Sequence, residues 1–385
     1  MTAPRRILLI NHEYPPLVGS GGVATFHIAR EMAGLGHQPI VLTAAWRDLP
    51  SIVCEDGVTV HRVRALRRRA EHYSVMEMIA FALAAMAAAP GIARQWRPEA
   101  AIAFFGLPNG PVGWQLKRSL GLPYVISLQG GDVPGFGADT FATWHHFAGN
   151  ILRRVWADAD AVIANSASLA ALARHSAPHQ HIEVIPAGAD VKGIAGKTDY
   201  ATRGPLRLVF AGRLVHAKGL DVLIKALAKL PLDIQWRLIL AGDGPEWTSL
   251  AALAGRLNIA DRVQVRGWVD RAELPDLLRD ADVFVLPSRV DGTPSALLEA
   301  MAAGLPVIGT QVPGTAEAVV DGTTGLLAAP EDVDGLTRAI VALAGDPARR
   351  AAMGQAGRTR AEVRFGWPAI AAMWLDLVGR ISTAP

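Results

Sequence analysis

The sequence has a single cysteine, Cys54. One cysteine can form neither an internal disulfide nor a thiolate metal cluster, which is typical of a protein in a reducing compartment. The formal net charge is only +3, so the composition does not favour a nucleic-acid partner. The first apolar run, in MTAPRRILLIN, is too short for a signal peptide and continues into a predicted strand. These features together predict a soluble cytoplasmic enzyme.

Long hydrophobic runs are also scarce, although 51% of the 385 residues are hydrophobic. That fraction and the length predict two domains of ordinary size, each with its own core. The one run that approaches a membrane span is residues 75–93, in which Glu77 is the only charge. Pro90 and Gly91 are expected to interrupt it, and its many alanines carry little transfer energy. The run therefore predicts a buried or interfacial helix.

A basic run precedes this predicted helix. Residues 61–69 read HRVRALRRR, with five arginines and no acid. The commonest explanation of such a run is a solvated loop. In front of an apolar helix it can also hold an anionic lipid surface or a phosphate-bearing acceptor. Peripheral contact with an anionic membrane, at its inner face, is thus one hypothesis for this region.

The most informative stretch is residues 287–310, PSRVDGTPSALLEAMAAGLPVIGT. Apolar residues on both sides of it predict a strand–helix–strand unit whose first strand is Val283–Leu286. The helix is predicted over Ser295–Ala303. Thr293 is its predicted N-cap, Pro294 suits its first turn, and Gly304 with Pro306 ends it.

Two carboxylates belong to this unit, Asp291 in the loop before the helix and Glu299 on its second turn. Seven residues separate them. The helix N-terminus points out of the carboxyl edge of the strand, where open α/β sheets bind anionic ligands. Glu299 lies among apolar neighbours, which is uncommon for a charge unless it has a partner. A carboxylate at this edge could bind sugar hydroxyls. The alternative is that Glu299 only lies on the solvated face of an amphipathic helix.

The run SRVDGTPSALLEAMAAGLPVIGT resembles the C-terminal signature of the retaining glycosyltransferases of family 4. The resemblance implies the α/β fold called GT-B, in which two Rossmann-like domains with parallel sheets face a central cleft. The family has glutamate at both ends of an E-x7-E motif, whereas this chain has Asp291 in the first place. By resemblance, Glu299 holds the donor ribose and Asp291 lies beside the transferred sugar as a catalytic residue.

The resemblance also implies donor-binding residues at two strand ends of the second domain. Strand Leu206–Ala211 is followed by Arg213, and Lys218 opens the next helix, so two cations meet at the carboxyl edge. In the family, cations at these places bind the donor diphosphate, whose negative charge grows as the glycosidic bond breaks. The alternative is that Arg213 and Lys218 are exposed basic residues that bind no ligand. The donor is also expected to contact the start of the following helix: Thr293, Pro294 and Ser295.

The first domain begins with a predicted βαβ unit: Ile7–Ile10, a helix from near Val23, and Pro39–Thr43. The loop NHEYPPLVGSGG formally matches G-x-G-x-x-A when the next residues are included. The strand does not lead directly into the first glycine, and the second strand ends without an acidic residue, so a dinucleotide-binding fold is not indicated. The resemblance implies instead a glycine loop, with Gly21 and Gly22, that faces the donor diphosphate. A surface turn is the alternative.

The segment LPYVISLQGGDVPG resembles a family segment in which a polar motif after a strand contacts the transferred sugar. The family often has histidine where this chain has Gln129. Gln129 and Asp132 are therefore candidates for binding sugar or acceptor. The alternative is a strand-ending turn in which Asp132 caps a backbone amide.

Two sequence patterns formally resemble metal sites. Asp158 and Asp160 spell D-x-D, but they precede a predicted strand, Ala161–Ala164, and are interpreted as part of a helix–strand junction. His175 and two further histidines spell H-x3-H-x-H, but a proline breaks the helix that would align the first two and no carboxylate accompanies them. We therefore predict no metal site.

The chain is predicted to divide into an acceptor-binding domain, residues 1–190, and a donor-binding domain, residues 203–365. Residues 192–205 lack apolar periodicity and are rich in small and polar residues, which predicts an interdomain linker. The last segment, residues 366–385, contains an amphipathic helix. By resemblance, that helix crosses back onto the first domain.

The implied reaction is retaining transfer of a sugar from a nucleotide-sugar donor to a hydroxyl of a sugar, lipid-linked or small-molecule acceptor. Its implied setting is the synthesis of cell-surface polysaccharide, glycolipid or glycoconjugate. No cofactor and no metal are expected, because the two cations occupy the place of a metal. A nucleotide-sugar epimerase or phosphorylase of the same fold is an alternative, as is a non-catalytic sugar-nucleotide sensor. The presence of Arg213, Lys218 and Glu299 disfavours the sensor.

Overall fold

The computed structural model describes residues 3–17, 19–69, 73–135, 142–270, 273–292 and 294–382. Its contacts divide the chain into two compact units. The first unit combines Met1–Ala187 with Trp367–Pro385, and the second unit is Gly188–Gly366. Both units are Rossmann-like, because each has a largely parallel sheet whose strands alternate with helices. The predicted α/β class with two Rossmann-like domains is confirmed.

The first unit has these strands in chain order: β1 (Arg6–Ile10), β2 (Gln38–Ala44), β3 (Ile52–Glu55), β4 (Val58–Val63), β5 (Ala100–Phe104), β6 (Tyr124–Leu128), β7 (Ala161–Ala164) and β8 (Ile182–Val184). Between them come α1 (Ser20–Gly34), α2 (Val75–Trp96), α3 (Gly110–Leu120), α4 (Ala142–Ala157) and α5 (Ala167–Ser176). The sheet order is β3-β4-β2-β1-β5-β6-β7-β8. Only the edge pair β3–β4 is antiparallel among the described strands.

The second unit has a parallel sheet built from β9 (Leu206–Ala211), β10 (Trp236–Ala241), β11 (Val263–Gly267), β12 (Val283–Leu286), β13 (Val307–Thr310) and β14 (Gly325–Ala328). Its helices are α6 (Leu220–Ala228), α7 (Trp247–Arg256), α8 (Leu274–Asp280), α9 (Ser295–Ala302), α10 (Pro313–Ala318), α11 (Val333–Ala344) and α12 (Pro347–Arg360). The sheet order is β11-β10-β9-β12-β13-β14. Strands such as β12 are apolar throughout because helices cover both faces of a parallel sheet.

The last helix, α13 (Trp367–Ser382), packs in the first unit. Trp374 and Leu377 are almost fully buried in the same core cluster as residues of β1 and β5. The Trp367 ring stacks on His27 of α1, with ring centroids 4.9 Å apart. The first unit is therefore discontinuous in sequence, because α13 follows the whole second unit in the chain.

Residues 192–205, predicted to be a linker, instead belong to the packing of the second unit. Ile194 and Tyr200 are each 6% exposed, and the Tyr200 hydroxyl donates to the Gly304 carbonyl at 2.7 Å. The linker prediction is wrong because two widely spaced anchors hold the segment without producing an apolar period. The second unit consequently begins at residue 188 rather than 203.

Arg350 of α12 fixes this segment from inside the unit. Its guanidinium is buried, with the residue 1% exposed. Nη2 donates to the Tyr200 carbonyl at 2.7 Å and to Thr202 Oγ1 at 2.5 Å. Nη1 donates to the carbonyls of Leu343 and Ala344 at 2.5 and 3.0 Å. One cation thus satisfies acceptors on α11 and on the segment that opens the unit.

Three helices differ in detail from the predictions. α1 begins at Ser20 rather than near Val23. α9 begins at Ser295 as predicted and ends at Ala302, one residue before the predicted end. Its N-cap is Pro294 in an extended conformation, and the predicted N-cap, Thr293, lies outside the described residues. α2 continues through Pro90, which was expected to interrupt it. Proline removes only one backbone donor, and packing of the buried face of α2 on the sheet outweighs that loss.

We expect Arg350→Met to lower the free energy of unfolding of the second unit by about 2–4 kcal/mol, because it leaves buried carbonyls without a donor. Urea titration followed by tryptophan fluorescence measures this. The matched control is Arg349→Met, which changes the exposed neighbouring side chain and should shift stability by less than about 0.5 kcal/mol. Equal stability of the two variants would contradict the role given to Arg350.

Candidate functional site

Each sheet reverses the order of its parallel strands beside its first strand. In the second unit β10 and β11 lie on one side of β9, and β12 to β14 lie on the other. In the first unit the reversal separates β1 from β5. Open parallel sheets bind ligands beyond the carboxyl ends of the strands at such a reversal, because the connections leave in opposite directions and open a crevice there. The residues that follow β9, β12, β1 and β5 are therefore the candidates in this protein.

Lys218 and Asp291 meet at the reversal of the second unit. Lys218 lies in a 3₁₀ turn after β9, and Asp291 lies in the loop after β12. Lys218 Nζ donates to Asp291 Oδ2 at 2.5 Å, and Ser288 Oγ donates to the same oxygen at 2.9 Å. The two side chains are only 18% and 11% exposed. Two of the predicted site residues thus form a mostly buried ion pair.

The loops that carry this pair are in backbone contact. Gly219 has φ +62°, and a Cβ there would lie 2.1 Å from the Pro287 carbonyl oxygen. The Arg289 amide donates to the Ala217 carbonyl at 2.8 Å. On the other side, a Cβ at Gly314 would lie 1.2 Å from the Gly292 carbonyl oxygen. The Asp291 loop is therefore held tightly, and this close approach lets the short aspartate side chain reach the lysine.

Arg289 secures the same loop to the start of α6, a role that the sequence did not reveal. Its Nη1 and Nη2 donate to the two oxygens of Asp221 at 2.7 and 3.0 Å. Nη1 also donates to the His216 carbonyl at 2.8 Å, and Glu331 pairs with the same guanidinium. Burial alone would raise the pKa of Asp221, but hydrogen bonds from Arg289 and from a lysine lower it to about 2. Arg289 positions the site without being free to bind a ligand itself.

Arg213 lies two residues after the end of β9 and is exposed. Within the described residues, its guanidinium makes no hydrogen bond or ion pair, so it is available to an anionic ligand. Glu299 lies on the second turn of α9 and is 7% exposed, among fully buried apolar neighbours. At the start of the same helix Pro294 is buried and Ser295 is exposed. The structure therefore places Arg213 on the connection that carries Lys218, and Glu299 on the helix that follows Asp291.

The first unit has its own polar group at the reversal, which we call the β1–β5 cluster: Asn11, His12, Glu13 and Asn109. Asn109 Nδ2 lies 3.2 Å from His12 Nδ1 and also donates to the Phe104 carbonyl. Asn11 Nδ2 donates to Thr25 Oγ1 of α1 at 2.8 Å. None of these four residues was predicted from the sequence to belong to a site. Three of them, Asn11, His12 and Glu13, form a polar run immediately after an apolar strand, and that run is the signal that marks them.

The glycines of the loop before α1 and of its first turn pack against this cluster. A Cβ at Gly19 would lie 2.0 Å from Glu13 Oε2, and one at Gly22 would lie 3.1 Å from the Glu13 backbone. A Cβ at Gly21 would lie 2.5 Å from the Phe105 ring. Close packing is thus a sufficient reason for glycine at these positions. Contact of Gly21 and Gly22 with a donor diphosphate stays a prediction.

Burial decides the charge states of the β1–β5 cluster. It raises the pKa of Glu13 to about 7, although the positive charge of Arg67 acts in the opposite direction. Burial, together with Arg67, lowers the pKa of His12 to about 3, so the imidazole is neutral at physiological pH. His12 Nε2 is 3.9 Å from Glu13 Oε1, but the two groups do not form a charged pair because each favours its neutral form.

Asp132 stabilises the turn after β6. Its Oδ2 accepts a hydrogen bond from the Gly106 amide at 2.7 Å, and its Oδ1 accepts from the amides of Gln129 and Gly130 at 2.9 Å. Gln129 Nε2 donates to Ser127 Oγ at 2.8 Å. Asp132 therefore caps backbone amides in the structure, which is the alternative role that the sequence predicted for it. Sugar or acceptor binding by Gln129 and Asp132 stays a prediction.

The D-x-D pattern serves the helix–strand junction, as predicted. Asp158 Oδ2 accepts from Trp114 Nε1 at 2.6 Å. Asp160 accepts from Lys117 Nζ at 2.8 Å and from the Tyr124 amide at 2.9 Å. Both carboxylates thereby connect the start of β7 to α3 and β6.

Two family models match this chain. "Glycosyl transferases group 1" matches residues 201–360, and "Glycosyl transferase 4-like domain" matches residues 19–188. Glycogen synthase of Mycobacterium tuberculosis is 31% identical over 95% of this chain and 92% of its own length. D-inositol 3-phosphate glycosyltransferase 1 of Catenulispora acidiphila is 32% identical over 95% and 93%. The solved sucrose-phosphate synthase of Thermosynechococcus elongatus superposes with TM-score 0.81 at 24% identity, covering 99% of this chain and 100% of that one. This last likeness shows the fold.

Glu13 should make the stability of the first unit depend on pH. Its pKa is about 7 when folded against an ordinary 4.5, so the folded state binds the proton more tightly. The contribution of Glu13 is full below pH 4.5 and is lost as the pH rises to about 7, by about 3 kcal/mol at 1.36 kcal/mol per pKa unit. Glu13→Gln stays neutral, so its stability relative to the wild type should rise across that window.

The measurement is urea unfolding of the wild type and Glu13→Gln from pH 4.5 to 8. His12 has the opposite slope below its unfolded pKa, because its folded pKa is lowered, but that slope is common to both proteins and cancels in the difference. Glu55→Gln, at an exposed position on β3, is the matched control and should run parallel to the wild type. If the free energy of unfolding of Glu13→Gln changed with pH in parallel with that of the wild type, burial would not raise the pKa of Glu13.

Proposed function

The chain belongs to the glycosyl transferases group 1 family and is a hexosyltransferase, and from that premise we propose that it transfers a sugar from a nucleotide-sugar donor with retention of configuration. The observation that carries this proposal is the Lys218–Asp291 pair at the strand-order reversal, with Arg213 on the same connection after β9 as Lys218. Cations at that edge suit a diphosphate leaving group, which gains negative charge as its bond to the sugar breaks.

In the proposed reaction the acceptor oxygen bonds to the anomeric carbon on the face from which the phosphate oxygen departs. The acceptor hydroxyl proton passes to that phosphate oxygen, so no protein nucleophile takes part. Lys218 and Arg213 stabilise the diphosphate. Asp291 holds the Lys218 ammonium in place through the 2.5 Å contact, and its negative charge opposes the positive character that develops at the anomeric carbon.

Glu299 is assigned to the donor ribose. Two vicinal hydroxyls can donate to one carboxylate, and a buried carboxylate forms stronger hydrogen bonds than an exposed one because less water competes. The N-terminus of α9, where the donor is also assigned to Pro294 and Ser295, adds the backbone amide of Ser295 and the positive end of a helix dipole. The same physical reasoning assigns donor phosphate to the first turn of α1, at Gly21 and Gly22.

The acceptor is proposed to be a hydroxyl of a sugar, a lipid-linked sugar or a small molecule, in cell-surface polysaccharide, glycolipid or glycoconjugate synthesis in the cytoplasm. The curated relatives, by their names, act in glycogen synthesis and on D-inositol 3-phosphate. Both names imply acceptors with several hydroxyls. A thermal-shift series with UDP, GDP, ADP and dTDP and their sugars identifies the donor, because a ligand that binds only the folded state raises its melting temperature.

Replacing Arg213 and Lys218 together by alanine should lower sugar transfer by at least about a thousandfold, since single groups that stabilise developing charge contribute about 10²–10³ each. Transfer of labelled sugar measures this, and circular dichroism should stay native. The matched control, Arg256→Ala with Arg349→Ala, removes two exposed arginines of the same unit. Wild-type transfer should persist in EDTA. A double variant as active as its control, or strict Mg²⁺ or Mn²⁺ dependence, would contradict the proposal.

Substitutions at Glu299 and at Asp291 should affect different quantities: the first the affinity for the nucleotide, the second the turnover number. Glu299→Gln should raise the Kd for the donor nucleotide roughly tenfold to a hundredfold, the scale of a hydrogen bond to a charged group. Asp291→Asn should lower kcat by at least about tenfold while nucleotide Kd changes by less than about threefold, because its charge acts mainly in the transition state. Calorimetry and steady-state kinetics measure the two effects.

Each of these variants is the control for the other, because both exchange one carboxylate for an amide of equal size in the same strand–helix unit. Asp291→Glu adds one methylene to a loop that Gly314 and Gly219 already hold closely. We therefore expect Asp291→Glu to lose activity by crowding. If Asp291→Asn kept the wild-type kcat and KM, Asp291 would be a loop residue only.

A further inference from the structure

Helix α2 has one face in the core and one in water. Phe81, Ala85 and Ala89 are at most 1% exposed and belong to the core of the first unit. On the opposite side lies the outer face of α2, which we define by its exposed residues at helical spacing: Met76, Ile79, Leu83 and Ala87. Met76 and Leu83 are 65% and 64% exposed. Such an apolar stripe in water is unusual for a surface helix, whose outer face is ordinarily charged.

The single acidic residue of this helix is withdrawn from the outer face. Glu77 is 7% exposed and forms a capping box with Ser74. Its Oε2 accepts from the Ser74 amide at 2.7 Å and from Ser74 Oγ at 2.9 Å. No other charge occurs between residues 75 and 93. The outer face is therefore both apolar and free of negative charge.

A basic segment, residues 64–69, is tied to the first turn of α2. The Arg68 amide donates to Glu77 Oε1 at 2.7 Å, which connects the segment to the start of the helix. Leu66 of this segment is 47% exposed. Exposed arginines occur here and at the far end of the helix, and none pairs with a carboxylate among the residues that the structure describes: Arg64, Arg68, Arg69, Arg94 and Arg97.

We propose that the outer face of α2 and the basic segment form a docking surface for an anionic lipid bilayer. The helix lies in the interface with its apolar stripe among the acyl chains near the headgroups, and the flanking arginines contact lipid phosphates. Charge complementarity decides the occupant, because an acid-free apolar stripe between two groups of unpaired arginines matches a negatively charged surface with an apolar interior. The inference does not depend on the transfer reaction.

Spanning the membrane is a different state, which the packing opposes. α2 is long and apolar enough to cross a bilayer by length and composition, the one such helix in the described chain, and 33% of its most apolar window is buried. Crossing would require Phe81, Ala85 and Ala89 to leave the core. Peripheral contact uses only the side chains that are already exposed.

Sedimentation with vesicles tests the proposal with the full chain. The protein should bind vesicles of phosphatidylglycerol and phosphatidylcholine at low salt, bind much less at high salt, and not bind phosphatidylcholine alone. Leu83→Glu should weaken binding by at least about tenfold, because it places a negative charge in the stripe. Replacing Arg64, Arg68 and Arg69 by glutamine should weaken it by roughly a hundredfold, at about fivefold per cation near an anionic surface.

Matched variants control for hydrophobicity and net charge. Leu232→Glu alters a leucine that is 91% exposed in the second unit, and glutamine at Arg237, Arg256 and Arg349 removes three exposed arginines of that unit. Both controls should bind vesicles like the wild type. All variants should keep the wild-type melting temperature and nucleotide-induced shift, which separates loss of docking from loss of folding or of the transfer site.

Several results would overturn the proposal. They are absence of binding to anionic vesicles at low salt, equal binding to neutral vesicles, and equal losses in the control variants. A dimer in size-exclusion chromatography with light scattering that Leu83→Glu dissociates would also overturn it, because the outer face of α2 would then be a contact between two copies of this chain.

Discussion

The constraint on which the rest of the structure depends is that a parallel strand covered on both faces can present functional groups only at its ends. β5 and β12 are buried at every residue, so their side chains serve the core. Functional side chains must follow the strands, and the reversal of strand order brings the loops after β9 and β12 side by side. The Lys218–Asp291 contact is a direct result, since it joins residues 73 positions apart in sequence.

Much of the fold could be predicted because the strands are apolar runs with clear ends. β9 and β12 have the predicted bounds, Leu206–Ala211 and Val283–Leu286. The predictions failed where tertiary contacts outweighed local pattern. Pro90 did not end α2 because the buried face of that helix has extensive packing, and residues 192–205 did not form a linker because Arg350, about 150 residues later, satisfies their polar groups.

In the candidate site, too, local sequence predicted individual residues but not the contacts between residues far apart in the chain. Lys218, Asp291 and Glu299 could be selected from residue type, spacing and resemblance. Their pairing could not, because no local pattern states which loops touch. Arg289 was missed because its partners on α6 and after β14 are remote in sequence, and Glu13 was missed because its raised pKa comes from burial, which only the folded chain provides.

The placement of α13 has a consequence for the order in which this chain can fold during synthesis. The ribosome completes residues 1–187 first, yet the core that contains Ile7 and Leu9 also needs Trp374 and Leu377. Until α13 emerges, α1 alone covers that face of the first sheet and part of its apolar surface is open, whereas the second unit already has all of its elements. The unit made first is thus the unit completed last, and a nascent chain paused in between exposes an apolar surface of the kind that chaperones bind.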